Sequence, residues 1–323
     1  MKLARIYSFL KKDLDIIEES LNKVFQTEHP ILHDASTKLL RAGGKRIRPV
    51  FVILAGQLGD YHAERVKTVA VSLELIHMAT LVHDDVIDDA SLRRGQPTIR
   101  ELYGNRVAMY TGDYILARAL EEITQIQDPT IHQHLSRTIV EVCIGEIEQI
   151  KDKYNWDQGL RDYLRRIKRK TALLIATSCQ LGGLASGLTE AEANKLFKYG
   201  YNIGMSYQII DDILDFTSTE KELGKPSGSD LLQGNITLPI LFAMQRADFY
   251  HLINKAQKNN IQLDEKQLGD ILHALKATDA IERSYQLSEL YLQKALQALE
   301  DLPEGRAKLT LQNIARYIGK RRS

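Results

Sequence analysis

The chain has 323 residues, 44% hydrophobic and 26% charged, a balance that excludes a disordered or fibrous protein and leaves ample room for a buried core. Its 43 Lys and Arg against 42 Asp and Glu give a formal net charge of +1, which argues against a global field of the kind that captures nucleic acid or anionic membrane. Two cysteines, Cys143 and Cys179, stand far apart without a CxxC pairing, so a zinc knuckle is excluded, a disulfide scaffold is not needed at this size, and a reducing, intracellular setting is expected.

In chain order, Leu3, Ile6, Tyr7, Leu10, Leu14, Ile17, Leu21 and Phe25 recur at spacings of three and four, which predicts an amphipathic helix over 3–25. Lys11, Lys12, Asp13 and Asp15 interrupt it, so no signal-peptide core forms. Gly43-Gly44 and Pro49 bound a basic loop or helix start. Residues 64–83 carry a wider apolar face through Val66, Val69, Ala70, Leu73, Ile76 and Leu81. The segment Arg93-Arg94-Gly95-Gln96-Pro97-Thr98 ends that helix before another begins. Similar stripes recur over 106–126, 131–150, 160–183, 190–214, 236–256 and 282–300, with a turn at 154–159 and a long polar segment at 216–235. Period-two alternation is scarce, so the fold class is all-α. No stretch is long enough for an interdomain linker, and one domain is expected over 1–323. Nowhere do 18 uncharged apolar residues run together, so no membrane-spanning helix is expected and a cytoplasmic location follows.

One short pattern occurs twice: Asp84-Asp85-Val86-Ile87-Asp88 and Asp211-Asp212-Ile213-Leu214-Asp215. Helical positions i and i+4 lie about 40° apart, so Asp84 shares a face with Asp88, and Asp211 with Asp215. Two carboxylates one turn apart repel unless a cation sits between them, and all-oxygen donors favour magnesium. Most aspartate clusters are solvated acidic faces. Here the first face runs back through Leu81, Thr80, His77 and Leu73, and the second through Gln208, Tyr207, Gly204 and Gly200. Carboxylates that continue an apolar or glycine-lined face belong in a cleft.

Magnesium held by one or two carboxylates completes its shell with substrate phosphates. Cations stand nearby in sequence: Lys45, Arg46 and Arg48 after Gly43-Gly44, Arg93 and Arg94 beyond Asp88, Lys170 with Thr171 after the run RRIKRK, and Lys225 after the second motif. Taken singly, each is ordinarily a surface charge. His77 lies two turns from Asp84, where a satisfied hydrogen-bonder is the ordinary role and contact with a second anion the functional one. The run at 165–170 lacks the interleaved aromatics of a nucleic-acid patch. No phosphate loop, serine elbow, HExxH pair or strand-linked GxGxxG is present.

With GGKRIRP upstream, LVHDDVIDDASLRRGQPT and YQIIDDILDF resemble the trans-isoprenyl diphosphate synthase family over nearly the whole chain. The closer likeness, in MKLARIYSFL, GDYHAERVKTVAVSLELIHMATLVHDDVIDDA and IVEVCIGEIEQIKDKY, is to the large catalytic components of its two-component bacterial members. The resemblance implies a bundle of antiparallel helices around a central cavity. It implies a prenyltransferase that condenses isopentenyl diphosphate onto an allylic diphosphate such as farnesyl diphosphate, giving a medium to long all-trans polyprenyl diphosphate, heptaprenyl being the favoured length, for menaquinone side chains. It further implies about three magnesium ions per site, held by Asp84 and Asp88, with Asp85 beside them, and by Asp211 and Asp215. Catalytic roles fall on both aspartate triplets, Asp212 included, and on Lys170. Arg93, Lys170, Thr171, Gln208 and Lys225 would grip the allylic diphosphate; Lys45, Arg48, His77 and Arg94 would hold isopentenyl diphosphate. A small, dissimilar component 1 is the implied partner, with a homodimer open.

Product length is expected to be set below the first motif. Ala79 and Thr80, five and four residues before Asp84, are small, and Ile76, Leu75 and Ser72 lie deeper on the same helix. Ala79 to Ser72 spans about 10 Å of helix, which admits a product of about thirty to forty carbons. Two alternatives remain open. A class I terpene cyclase shares the first motif but usually replaces the second with an Asn/Ser/Glu pattern, and a helical interaction subunit would need neither motif.

Overall fold

The computed structural model describes residues 3–218, 226–257 and 263–321. The described chain is all-α, in the order Leu3–Ile6 (α1), Lys11–Val24 (α2), Pro30–Arg41 (α3), Ile47–Gly56 (α4), Ala63–Ile87 (α5), Ile99–Ile123 (α6), Pro129–Asp152 (α7), Leu160–Ile167 (α8), Leu173–Ala185 (α9) and Glu190–Thr217 (α10). Ser229–Leu232 (α11), Leu238–Ala243 (α12), Ala247–Gln257 (α13), Glu265–Lys276 (α14), Ala280–Ala298 (α15) and Arg306–Gly319 (α16) follow. Among the described residues the strands are Leu92–Arg93 (β1) and Gln96–Pro97 (β2), an antiparallel pair in which Arg93 stands opposite Gln96.

Every helix expected from periodicity is present, several with breaks that the stripes conceal. The expected helix over 3–25 divides at Tyr7 (φ −118°) into α1, a 3₁₀ turn at Ser8–Leu10, and α2. α6 is interrupted at Gly104, whose φ of 81° no regular helix accommodates. The expected 236–256 helix is two, α12 and α13. The hairpin was not expected, because its turn is Arg94-Gly95: both residues have positive φ, 53° and 76°, the requirement of a tight two-residue turn, but arginine seldom supplies it.

Two compact units form, each from three stretches of sequence. The first comprises Met1–Arg137, Leu174–Phe197 and Asp301–Ile314. α5 is its central helix, packed against α4 and α6, with Val66, Val69, Leu73 and Leu75 fully buried. By length and composition α5 could cross a membrane, but 72% of its most apolar 18-residue window is buried inside the protein. That is the behaviour of a core helix. Thr98 starts α6: its hydroxyl accepts from the Glu101 N–H (3.1 Å) and donates to the Ala90 carbonyl (2.7 Å), tying the hairpin to the helix.

The second unit comprises Thr138–Leu173, Lys198–Glu300 and Ala315–Ser323. Its core gathers Tyr163, Ile209, Ile213, Ile236, Leu238 and Ile271. α14 is held by a capping box, in which Asp264 Oδ1 accepts from the Gln267 N–H at 2.7 Å and Gln267 Oε1 accepts from the Asp264 N–H at 2.9 Å.

Candidate active site: two aspartate motifs and their basic neighbours

In the first unit α5 carries its motif to the helix end. Asp84 and Asp85 lie in the last turn, and Asp88 is the capping residue, its N–H donating to the Asp84 carbonyl at 2.8 Å. Its near-helical backbone (φ −91°, ψ 3°) keeps Asp88 one turn above Asp84, as the i, i+4 spacing requires. Asp84 and Asp88 are half-buried. Asp85, rotated about 100° around the helix, turns inward and is 3% exposed. Arg93 forks onto it, Nε at 2.8 Å and Nη2 at 2.7 Å from Oδ1. The hairpin achieves this geometry, since Arg93 in β1 is held opposite Gln96 while Arg94 occupies the turn.

The loop Gly43-Gly44 lies against the same arginines. A Cβ on Gly44 would meet Arg94 Nη1 at 2.7 Å and Arg46 Nη1 at 3.3 Å, so a larger residue there would push the two guanidinium tips aside. Arg46 adopts a left-handed conformation (φ 45°) just before α4. Its side chain explains how that strain is held: it pairs with Glu18, and with Glu74 Oε1 at 3.0 Å. Arg46 is therefore an internal brace of the loop that presents Lys45, while Arg48 lies buried in the first turn of α4. Lys45 is exposed, and its carbonyl accepts from Tyr7 Oη at 3.2 Å.

His77 sits in this basic surround and lines a small cleft with Gly43, Arg46, Glu74, Arg93 and Arg94. Burial, then the positive charges of Arg48, Arg94, Arg93 and Arg46, hold its imidazole neutral, well below the ordinary histidine range. Unfolded, His77 titrates near 6.5. Below that pH the unfolded chain binds a proton that the folded chain refuses, so the stability contributed is full above 6.5 and is lost as pH falls. His77→Gln is expected to flatten the acid side of the melting-temperature profile relative to wild type, measured by circular dichroism across that pH range.

The residues expected to set product length are all on α5. Ser72 and Leu75 are fully buried, Ile76 and Ala79 nearly so, and half-buried Thr80 donates to the His77 carbonyl at 2.8 Å.

In the second unit α10 carries the other motif, and its three carboxylates have three environments. Asp211 is half-buried and accepts from Arg321 Nη1 at 2.9 Å. Asp212 is 4% exposed and accepts from Gln208 Nε2 (2.8 Å) and Tyr163 Oη (2.7 Å). Burial pushes its carboxyl up to about 7, against the lowering effect of those two hydrogen bonds, with Asp230 and Asp211 adding to the rise. Asp215, buried, accepts from Ser229 Oγ (3.1 Å) and the Asp230 N–H (3.3 Å). Asp211 and Asp215 thus share a helix face but serve different partners, because the chain at 227–230 folds back over Asp215.

Lys170 and Thr171 occupy a single π-helical turn, Lys168–Ala172, between α8 and α9. Such turns widen the helix and re-aim the side chains on it. Thr171 Oγ1 donates to Gln208 Oε1 at 2.7 Å, and Lys170 Nζ to Gln149 Oε1 at 2.8 Å. Gly204, one turn before Gln208, makes this possible: a Cβ there would lie 2.5 Å from Ala172 Cα. The glycine face of α10 is thus a close helix crossing. Gly204→Ala is expected to cost about 1–3 kcal/mol by overpacking, read as a lower midpoint in urea denaturation. The network runs Thr171, Gln208, Asp212, Tyr163 without interruption.

Two further arginines of the run at 165–170 are structural. Arg166 donates to Gln158 Oε1 (2.5 Å) and the Ile236 carbonyl (2.6 Å), and Arg169 pairs with Glu141 (2.9 Å) and Glu148. Lys225, expected at the allylic diphosphate, lies outside the described residues. Sequence reasoning missed Tyr163, Gln149, Glu74 and Arg321. Tyr163 could have been sought on the apolar face of 160–183, whereas Arg321 has no local signal.

An all-α chain with two aspartate-rich helices, the first braced by arginine and the second set beside Arg, Gln, Thr and Lys side chains, defines a diphosphate-handling enzyme class. The family model for polyprenyl synthetase matches residues 29–278. Heptaprenyl diphosphate synthase component 2 of Bacillus subtilis (strain 168) is 60% identical over 322 residues, covering 100% of this chain and 92% of that protein. The crystal structure of heptaprenyl diphosphate synthase from Staphylococcus aureus matches with a TM-score of 0.92 at 44% identity, over 97% of this chain and 99% of that one. A polyprenyl synthase from Caulobacter crescentus CB15, complexed with calcium and isoprenyl diphosphate, matches with a TM-score of 0.92 at 28% identity, over 100% and 98% of the two chains. The chain belongs to the polyprenyl synthetase family and is a trans-prenyltransferase.

Proposed function

We propose that this chain is the prenyl-transferring component of a heptaprenyl diphosphate synthase, adding isopentenyl diphosphate to farnesyl diphosphate and supplying menaquinone side chains. The full-length 60% identity to a component 2 carries this reading, joined to two complete aspartate motifs. We read residues 1–323 as one functional domain, since the chain passes between its units within the continuous helices α7, α10 and α16.

The donor sets fit a hard divalent cation. Asp84, Asp88 and Asp211 offer half-buried carboxylate oxygens. That suits about three magnesium ions whose shells are completed by diphosphate oxygens and water. Asp84 and Asp88 would hold metal at one motif and Asp211 with Asp215 at the other, the Asp215 oxygens keeping lone pairs beside their bonds from Ser229 and Asp230. When bound, magnesium stabilises the negative charge that develops on the departing diphosphate.

Arg93, Lys170, Thr171, Gln208 and Lys225 bind and orient the allylic diphosphate, while Asp85 and Asp212 hold Arg93 and Gln208 in place. Lys45, Arg48 and Arg94 neutralise the second diphosphate, to which neutral His77 donates a hydrogen bond. The allylic C–O bond breaks, its electron pair leaving with the diphosphate. The isopentenyl double bond closes the new C–C bond, and a proton is lost to the released diphosphate. Water must be kept out, because the allylic cation reacts with the first nucleophile it meets.

The partner reading also has a surface. Val140, Ile144, Ile147 and Ile150 form an exposed stripe along α7, with Ile147 68% exposed. We assign it to a protein partner, either the component 1 implied by the name of the Bacillus relative or a second copy of this chain. Ile147→Asp is expected to abolish co-elution with component 1, or self-association, in size-exclusion chromatography.

The function is tested by incubating chain and small component with magnesium, farnesyl diphosphate and radiolabelled isopentenyl diphosphate. Label entering heptaprenyl diphosphate supports the proposal. A hydrocarbon product without label would identify a cyclase instead.

A further inference from the structure

The residues that follow α16 reach the second aspartate motif through Arg321. α16 ends at Gly319, packed so closely against α15 that a Cβ there would meet Leu292 Cδ2 at 2.4 Å. The next two backbone N–H groups still donate into the last turn, Lys320 to the Arg316 carbonyl (3.2 Å) and Arg321 to that of Ile318 (3.1 Å). The chain therefore leaves the helix at a fixed point, and its position directs Arg321 to α10. There Nη1 donates to Asp211 Oδ1 at 2.9 Å, and the guanidinium carbon lies 5.2 Å from the Tyr207 ring centroid. Tyr207 and Asp211 are one helical turn apart, so carboxylate and ring act on the same cation. The two side chains are 23% and 34% exposed, a partly desolvated pair rather than a solvated surface contact.

Asp211 is also the least enclosed carboxylate of its motif, beside Asp212 at 4% and Asp215 at 1%. A carboxylate neutralised by a guanidinium offers a divalent ion little net charge. We propose that Arg321 is a built-in counter-cation for the second motif: it neutralises Asp211 while no metal is held, and a divalent ion must displace it. Metal affinity at the second motif is then set by Arg321, independently of the first motif. The inference rests on the metal-holding reading of Asp211 given above.

The test uses manganese(II) alone, titrated into the full chain without substrate, with free ion followed by electron paramagnetic resonance. Removing the competing charge in Arg321→Gln is expected to tighten one manganese site roughly fivefold to tenfold. Arg321→Lys should return it toward the wild-type value, and Tyr207→Leu should tighten it by a smaller factor. Asp211→Asn should lose that site whatever stands at 321. If Arg321→Gln binds manganese no more tightly than wild type while Asp211→Asn loses an ion, the counter-cation role is wrong and the metal reading stands. If Asp211→Asn binds as many ions as wild type, both are wrong.

Discussion

Asp84→Asn and Asp211→Asn are each expected to lower turnover by about a thousandfold, with the melting temperature little changed. Asparagine keeps the size of the side chain and an acceptor oxygen but removes the charge that would hold metal. Both residues are half-buried at the surface of their units, so neither substitution empties a core. The inward-facing partners should behave differently. Asp85 is the buried seat of Arg93 and Asp212 the acceptor for Gln208 and Tyr163, so their loss disturbs positioning as well as charge. Steady-state incorporation of labelled isopentenyl diphosphate, beside a thermal melt, separates the two classes. Unimpaired turnover in Asp84→Asn would remove the first motif from the reaction.

The second large effect concerns product length. On the proposed reading that the growing chain runs past Ala79, Ala79→Tyr is expected to shorten the product to about fifteen or twenty carbons, because an aromatic ring takes the space that further units would occupy. Ala79 is buried on α5 together with Ile76, Leu75 and Ser72, so the new ring must displace either product or protein. A variant that melts like wild type yet makes a short product, resolved by thin-layer chromatography after dephosphorylation, meets the expectation. Full-length product from a folded variant would assign the length limit elsewhere.

The features legible in sequence were those written in local spacing. Apolar residues three and four apart revealed the helices, and the repeated aspartates declared their faces because i and i+4 coincide in a helix. Division of labour within each motif was less visible. Asp84 and Asp85 are neighbours in sequence, yet only Asp85 accepts the fork of Arg93, a pairing that depends on a hairpin with arginine at a positive-φ position. Arg46 reads like its neighbours in GGKRIRP, and only the fold reveals Glu18 and Glu74 against it. The π turn at Lys168–Ala172 leaves the apolar stripe of 160–183 almost undisturbed while re-aiming Thr171 at Gln208. Arg321 meets Asp211 across 110 positions of sequence, a separation at which no local pattern can carry information.

Whether Asp84 and Asp211 serve one and the same ionisation is tested most directly by rapid-quench measurement of diphosphate release from farnesyl diphosphate in a single turnover, at saturating magnesium and isopentenyl diphosphate. The expected result is that Asp84→Asn and Asp211→Asn slow release together, each by about a thousandfold. Release at the wild-type rate in either variant would contradict the account.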